Sequence, residues 1–241
     1  PKFIMKKLLT ILIAFTAGVL INFNAANAQI VISGYMANPA GNDGPFEYVQ
    51  LMATQDINFA TTNYSVVWAN NGNATSSGWV AGGTLTYGFN LTSGSVTAGT
   101  TFYVGGSSKL INGTGTTDIS GATWIRTINT STTAGDGFGS SGGTGGNMGN
   151  GGSNADGIAV FSGLAGSLSS SSVPIDAVFY GTAIGSAFLT SSTGYQMPSN
   201  DIYSGGKLQS SATFFLDPAS GAFTKLTGTY NVCSSAWTTT R

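Results

Sequence analysis

Four carboxylates fall in or beside stretches that read as loops: Asp43, Glu47, Asp136 and Asp156. Carboxylate oxygens in loops are the hard ligands that calcium prefers. The spacing of the four matches no EF-hand loop, and Asn154 stands where the calcium-binding nonapeptide repeat has a glycine. The prediction that the four residues bind calcium thus depends on their residue type and loop location alone. The alternative is that they are solvated carboxylates in turns.

Catalytic motifs find little support, because the chain contains no histidine. This removes the commonest general base, the commonest zinc ligand and the base of a serine-hydrolase triad. Two short catalytic motifs do occur, G-x-S-x-G at Gly139–Gly143 and S-x-x-K at Ser204–Lys207. Each motif requires an adjoining helix, and neither stretch shows a helical pattern. We therefore expect no enzymatic activity and no required cofactor.

Charge is sparse, at 7% of the residues, with eight basic and nine acidic side chains. The basic residues after position 28 are scattered along the chain, whereas binding to a phosphate backbone needs a basic patch. We expect no nucleic-acid partner. A single cysteine, Cys233, allows no internal disulfide.

The N-terminal segment has the three zones of an export signal. Lys6 and Lys7 form a basic start, an apolar run covers Leu8–Ile21, and Ala26–Ala28 provides a small-x-small cleavage site. The run is shorter than the roughly 18 to 20 apolar residues of a membrane span. We expect residues 1–28 to be removed, leaving a secreted or cell-surface protein that has no membrane span.

Strands must position the candidate residues, since Gly, Ser and Thr interrupt every window in which a helical pattern could form. Alternation is clear where Leu85, Tyr87 and Phe89 point one way and Thr86 and Gly88 the other. Ten short strands predict an all-β sandwich or barrel. The ten segments are Gln29–Tyr35, Phe46–Met52, Tyr64–Trp68, Gly83–Phe89, Thr100–Gly105, Ala122–Ile128, Gly157–Ser162, Val173–Tyr180, Lys207–Leu216 and Ala222–Tyr230.

Residues 134–157 form a segment rich in Gly, Ser and Asn. We interpret it as a long loop inserted into one domain that covers residues 29–241, because the strands after it are needed to complete a sandwich begun before it. A linker between two domains is the alternative. The chain stops in strand-like residues at Arg241, which leaves room for a further domain beyond it.

Several short motifs resemble the bacterial lamin-tail-type domain. Ile30–Pro39 followed by Gly44–Leu51 is similar to its opening, which is a strand, a polar loop and an E-[YW]-[IV]-E-L strand. Ala98–Val104, Asp156–Phe161 and Ile175–Gly181 continue the likeness in the family's order. The resemblance implies an immunoglobulin-like β-sandwich used for attachment and interaction on exported proteins, with no catalysis by the domain itself.

Two positions in this opening carry further expectations. Gln50 stands where the family usually has a second glutamate. Glu47 lies near the start of the predicted strand Phe46–Met52, after a Gly-Pro turn, so it could accept backbone N–H bonds from a neighbouring loop, which is a structural role.

Aromatic side chains could supply a stacking platform for glycans. The candidates are Tyr64, Trp68, Trp79, Trp124 and Trp237. Aromatic residues in strands also fill cores or cover sheet faces, so burial is the alternative.

Together these observations favour a non-enzymatic extracellular structural or adhesion module that acts by protein or surface contact. The apolar strand Gln29–Tyr35 could pair with a neighbour's open sheet edge, forming a homo-oligomer, coat or filament, or it could close the sheet of its own chain. The alternatives are the non-catalytic N-terminal domain of a larger secreted hydrolase and a calcium-assisted glycan-binding module.

Overall fold

The computed structural model of the protein describes residues 29–41, 43–69, 77–80, 86–113, 117–127, 148–149, 156–181, 195–198, 213–215, 221–234 and 236–238. The predicted signal peptide, Asp136 and most of the Gly-rich segment lie outside these residues.

Strands dominate the described part of the chain. A one-turn helix, α1 (Asp43–Phe46), and a 3₁₀ turn at Ala165–Ser167 are the helical elements there. The strands are β1 (Ile30–Met36), β2 (Tyr48–Ala53), β3 (Ile57–Asn58), β4 (Tyr64–Ala69), β5 (Thr86–Leu91), β6 (Ser95–Val96), β7 (Thr101–Gly105), β8 (Trp124–Thr127), β9 (Asp156–Ser162), β10 (Asp176–Tyr180), β11 (Thr213–Phe215), β12 (Thr224–Lys225), β13 (Tyr230–Asn231) and β14 (Ala236–Trp237).

Ten of these strands form two five-stranded sheets. The first sheet has the order β12-β1-β2-β7-β8 and the second has the order β11-β10-β9-β4-β5. Neighbours are antiparallel except in two outer pairs, β7 with β8 and β10 with β11, which are parallel. Two small ribbons, β3 with β6 and β13 with β14, complete the strands of the described residues.

The ten strands of the two sheets coincide with the ten segments that the sequence predicts, with differences at some of their ends. Residues 83–85 and 207–212, which begin two of the predicted segments, lie outside the described residues. The second strand begins at Tyr48 because the preceding residues, up to Phe46, form α1. The last predicted strand, Ala222–Tyr230, is divided into β12 and the start of β13. Gly228, with φ 137°, lies in this break, in a conformation that favours glycine.

One core lies between the two sheets. Alternate residues of each sheet point into it, as Val49 and Leu51 do from β2 and Tyr87 and Phe89 do from β5. Nearly all of these side chains are fully buried. The arrangement is all-β and resembles a sandwich, because apolar residues recur with period two on facing strands.

Both outer faces are also partly covered. Trp79, Tyr195 and Met197 pack on the outer face of the second sheet, against Phe161 and Phe179. On the first sheet, the β13–β14 ribbon places Trp237 against Val31. The strands therefore carry apolar residues on both faces, which explains continuous runs such as the one that begins at Ile30.

No helix among the described residues is both long and apolar enough to cross a membrane.

Candidate functional site

The structure brings together two of the four predicted calcium ligands. Glu47 follows α1 directly, and Asp156 is the first residue of β9. Both side chains are completely buried, at one end of the core. Asp43 begins α1 but its side chain is outside the described structure, and Asp136 lies outside the described residues.

Glu47 and Asp156 meet the Gly-rich segment at Met148 and Gly149. The Met148 N–H donates to Glu47 Oε2 at 3.1 Å. The Asp156 carboxyl group packs so closely on Gly149 that a Cβ atom at position 149 would overlap it. Glu47 thus accepts a backbone N–H bond, as the sequence predicts, and the donor comes from a segment about a hundred residues away.

Two tyrosines complete this buried group, which we call the acidic end: Glu47, Asp156, Tyr35 and Tyr180. The Tyr180 hydroxyl donates to the Gly149 carbonyl at 2.7 Å, and its ring stacks on Tyr35 with centroids 4.6 Å apart. Burial, together with the nearby negative charge of Asp156 and Glu47, holds the pKa of Tyr180 well above its usual value. Tyr180 therefore stays protonated and remains a hydrogen-bond donor.

The acidic end has the geometry of a structural anchor. The described ranges contain no group of three or more Asp, Glu, Cys or His side chains that could hold a metal ion, and the side chains of Asp43 and Asp136 lie outside those ranges. The contacts that are present fix the chain at Met148 and Gly149 against the two sheets. The described acidic end therefore supplies anchoring contacts to the Gly-rich segment.

Asp176 is a third buried carboxylate, and it is not among the residues predicted from the sequence. It begins β10, and its Oδ2 accepts the Ile32 N–H of β1 at 2.7 Å, so it joins the two sheets. Its Oδ1 accepts from Ala177 N–H at 3.1 Å. An aspartate directly before the apolar run from Ala177 to Tyr180 was the available signal, because a charge at a buried strand position needs a partner.

Most of the predicted glycan-stacking aromatics belong to the core or to covered sheet faces. Tyr64, Trp68, Trp79 and Trp237 are buried, so the alternative of burial is correct for these four. Trp124 differs, because it lies on the outer strand β8 and is partly exposed.

Trp124 belongs to a group of rings on the outer side of the first sheet. It stacks on Tyr103 at 5.2 Å with 28° between the planes, while Tyr48 meets both rings edge-on. Phe223 stacks on Tyr48 at 5.9 Å, and the Lys109 ammonium lies 5.2 Å from the Trp124 ring centroid. We call these five residues the aromatic face. All but Tyr48 are partly exposed.

A hydrogen-bond chain runs beside these rings along the same sheet face. Ser33 Oγ donates to Gln50 Oε1 at 3.0 Å, and Gln50 Nε2 donates to the Tyr103 hydroxyl at 2.9 Å. The Tyr103 hydroxyl thus accepts the last hydrogen bond of this series, and its own proton has no acceptor among the described residues. Gln50 fits this role because its amide both accepts and donates, which a glutamate cannot do when ionised.

Tyr48 holds the aromatic face to the underlying loop. Its hydroxyl donates to the Ile111 carbonyl. Burial raises the pKa of Tyr48 far above the usual tyrosine value, and the neighbouring Tyr103 raises it further. The Tyr48 ring is therefore held in place, and it orients the rings of Tyr103 and Trp124 that pack against it.

Comparison with protein-family models, with curated proteins and with solved structures finds no match for this chain.

Proposed function

We propose that this chain is a non-enzymatic extracellular module with an immunoglobulin-like β-sandwich, which works by binding a protein or glycan surface. The predicted export signal at residues 5–28 supports the extracellular location. The aromatic face is the single observation that carries the proposed mode of action, because it is the described surface on which ring faces, hydrogen-bonding groups and a cation lie together.

The strand order supports the immunoglobulin-like interpretation. In that fold, strands A, B and E lie side by side in one sheet, and strands C, F and G form the other, to which C′ can be added beside C. Here β1, β2 and β7 are neighbours in one sheet, and the order β10-β9-β4-β5 corresponds to G-F-C-C′. The parallel strands β8 and β11 are additions at the edges. The lamin-tail-like opening covers β1 and β2, two central strands of this arrangement.

The physical chemistry of the aromatic face suits contact with a surface. Stacked aromatic rings offer large rigid areas whose burial is favourable at little cost in side-chain entropy. Lys109 lies over Trp124 at a distance typical of a cation–π interaction, which restrains both side chains before any partner arrives. The Tyr103 hydroxyl adds directional hydrogen bonding to the same area.

Three buried carboxylates fit the proposed non-enzymatic role. Glu47, Asp156 and Asp176 are completely buried, and each is engaged with the interior of the fold, so none of them presents an oxygen to solvent. With no histidine in the chain, general acid–base chemistry would have to come from other side chains.

Strand β1 pairs within its own chain. It lies inside the first sheet, paired along its length with β2 and at Gly34 and Tyr35 with β12. This pairing supports the alternative in which the N-terminal strand closes its own sheet. The contact that we propose therefore uses the aromatic face and does not require strand exchange.

The test is retention of the exported protein on immobilised glycans and on immobilised copies of the same protein. We expect at least one of these surfaces to retain the protein, and Trp124→Ala to reduce that retention at least tenfold. Val173→Ala is the matched control, because Val173 is 58% exposed and lies outside the aromatic face. Equal retention of Trp124→Ala and the wild type on every surface that binds would refute the proposal, as would retention by no surface.

A further inference from the structure

A polar cleft opens at the end of the sheets opposite the acidic end. Its walls come from the β3–β6 ribbon and from the residues around the start of β1 and the end of β2, among them Gln29, Gln55 and Thr100. Its volume is about 750 Å³. Small-molecule sites commonly measure about 300 to 1,000 Å³. The cleft is therefore large enough for a small ligand.

The lining of this cleft is dominated by neutral groups that both donate and accept hydrogen bonds. Gln55, Asn58 and Ser95 are exposed to it, while the buried side chains of Ile57 and Val96 lie beneath. No lysine or arginine is found among its described lining residues, so these side chains give the cleft no positive charge. Because the lining amides and hydroxyls can each donate and accept hydrogen bonds, they suit a ligand that itself carries many hydroxyl groups.

Asp56 is the one carboxylate of the described lining, and it is held in place. Its Oδ1 accepts the Ala98 N–H at 2.9 Å, whereas its Oδ2 has no hydrogen bond within the described residues. The Thr97 and Thr100 hydroxyls bond each other at 2.8 Å in the same loop. A fixed carboxylate oxygen that faces hydroxyl donors forms charge-assisted hydrogen bonds, which are stronger than neutral ones.

We propose that the polar cleft binds a short neutral saccharide, with Asp56 Oδ2 accepting hydrogen bonds from sugar hydroxyls and the surrounding amides and hydroxyls completing the contacts. Calcium is a poorer occupant, because one carboxylate is far from the six to eight oxygens that the ion takes. The site is separate from the aromatic face and does not rest on the proposed contact function.

Amide NMR spectra of the ¹⁵N-labelled protein test this directly, with lactose, cellobiose and N,N′-diacetylchitobiose as probes at about 20 mM, enough to fill a site of millimolar Kd. We expect at least one probe to shift the amide resonances of the cleft, such as those of Asn58 and Ser95, and to leave those of β10 unchanged. Asp56→Asn should weaken this binding at least tenfold, because the amide keeps the acceptor for Ala98 but loses the anionic oxygen.

Asp118→Asn is the matched control. Asp118 is also an exposed loop aspartate that accepts a backbone N–H, from Ser120 at 2.7 Å, but it lies outside the cleft. Its replacement should leave saccharide binding unchanged, and Ser95→Trp, which places a large ring in the cleft, should abolish it. The proposal is overturned if no probe shifts the cleft amides, if Asp56→Asn and Asp118→Asn bind alike, or if only added calcium produces the shifts.

Discussion

Replacing Asp176 with alanine should destabilise the whole fold. The carboxylate joins the two sheets by accepting the Ile32 N–H at 2.7 Å, and both residues are completely buried. A buried donor that loses its acceptor costs about 1–3 kcal/mol. The volume that the carboxylate vacates among fully buried neighbours adds about 1 kcal/mol. We therefore expect the free energy of unfolding to fall by about 2–4 kcal/mol.

Such a loss is large against the roughly 5–15 kcal/mol that stabilises an ordinary domain. Urea unfolding followed by tryptophan fluorescence measures it as a shift of the midpoint at constant slope. Asp176→Asn should cost less than the alanine variant, because the amide oxygen can still accept the Ile32 N–H bond.

Asp118→Asn again serves as the control, since a surface substitution usually changes stability by no more than about 0.5 kcal/mol. If Asp176→Ala also fell within that margin, the carboxylate would not hold the sheets together and our reasoning about it would be wrong. A change in the slope of the unfolding curve would instead mean that the variant alters the unfolded or native ensemble.

Two further predictions concern the acidic end and the buried tyrosines. Gly149→Ala should lower the free energy of unfolding by about 1–3 kcal/mol, because the added methyl overlaps the Asp156 carboxyl group; a thermal melt that matches the wild type would contradict this. Burial raises the pKa of Tyr35, Tyr48 and Tyr180 in the fold, so stability is complete below the usual tyrosine pKa of about 10 and falls as the pH rises above it. The loss is at most about 1.4 kcal/mol per pH unit for each tyrosine. Tyrosinate absorbance from these rings should rise together with loss of the circular dichroism signal. Full ionisation of these tyrosines near pH 10 with the fold intact would contradict the raised pKa values.

The strands were predictable because their signal is local. The period-two pattern of Tyr87 and Phe89 places these two rings in the core of the structure, as expected. The ribbons β3–β6 and β13–β14 were not predicted, since strands of two residues are too short to show a period. Pairing over such a length depends on which distant segments the fold brings together.

The sequence could not predict which aromatic residues are exposed, because exposure also depends on contacts between distant segments. Trp79 lies in a region poor in strand signals, yet it is buried because its indole N–H donates to Gln196 O at 2.8 Å and its ring packs on Phe179 and Tyr195. These partners are about a hundred or more residues away along the chain. Trp124, in contrast, lies on an outer strand and keeps part of its surface open. Local sequence cannot distinguish the two tryptophans, because the difference is made by packing between remote segments.

The distribution of charge links the interior of this protein to its surface. Three of the nine acidic residues, Glu47, Asp156 and Asp176, are buried. Glu47 and Asp176 accept hydrogen bonds from distant segments of the chain, and Asp156 packs on Gly149. The surface is therefore even less charged than the composition suggests, and neutral amides and hydroxyls must keep it hydrated. Long-range electrostatic steering needs fields that such a surface does not produce. The two proposed recognition sites fit this charge distribution, because both would act by short-range forces: ring stacking on the aromatic face and hydrogen bonding in the polar cleft.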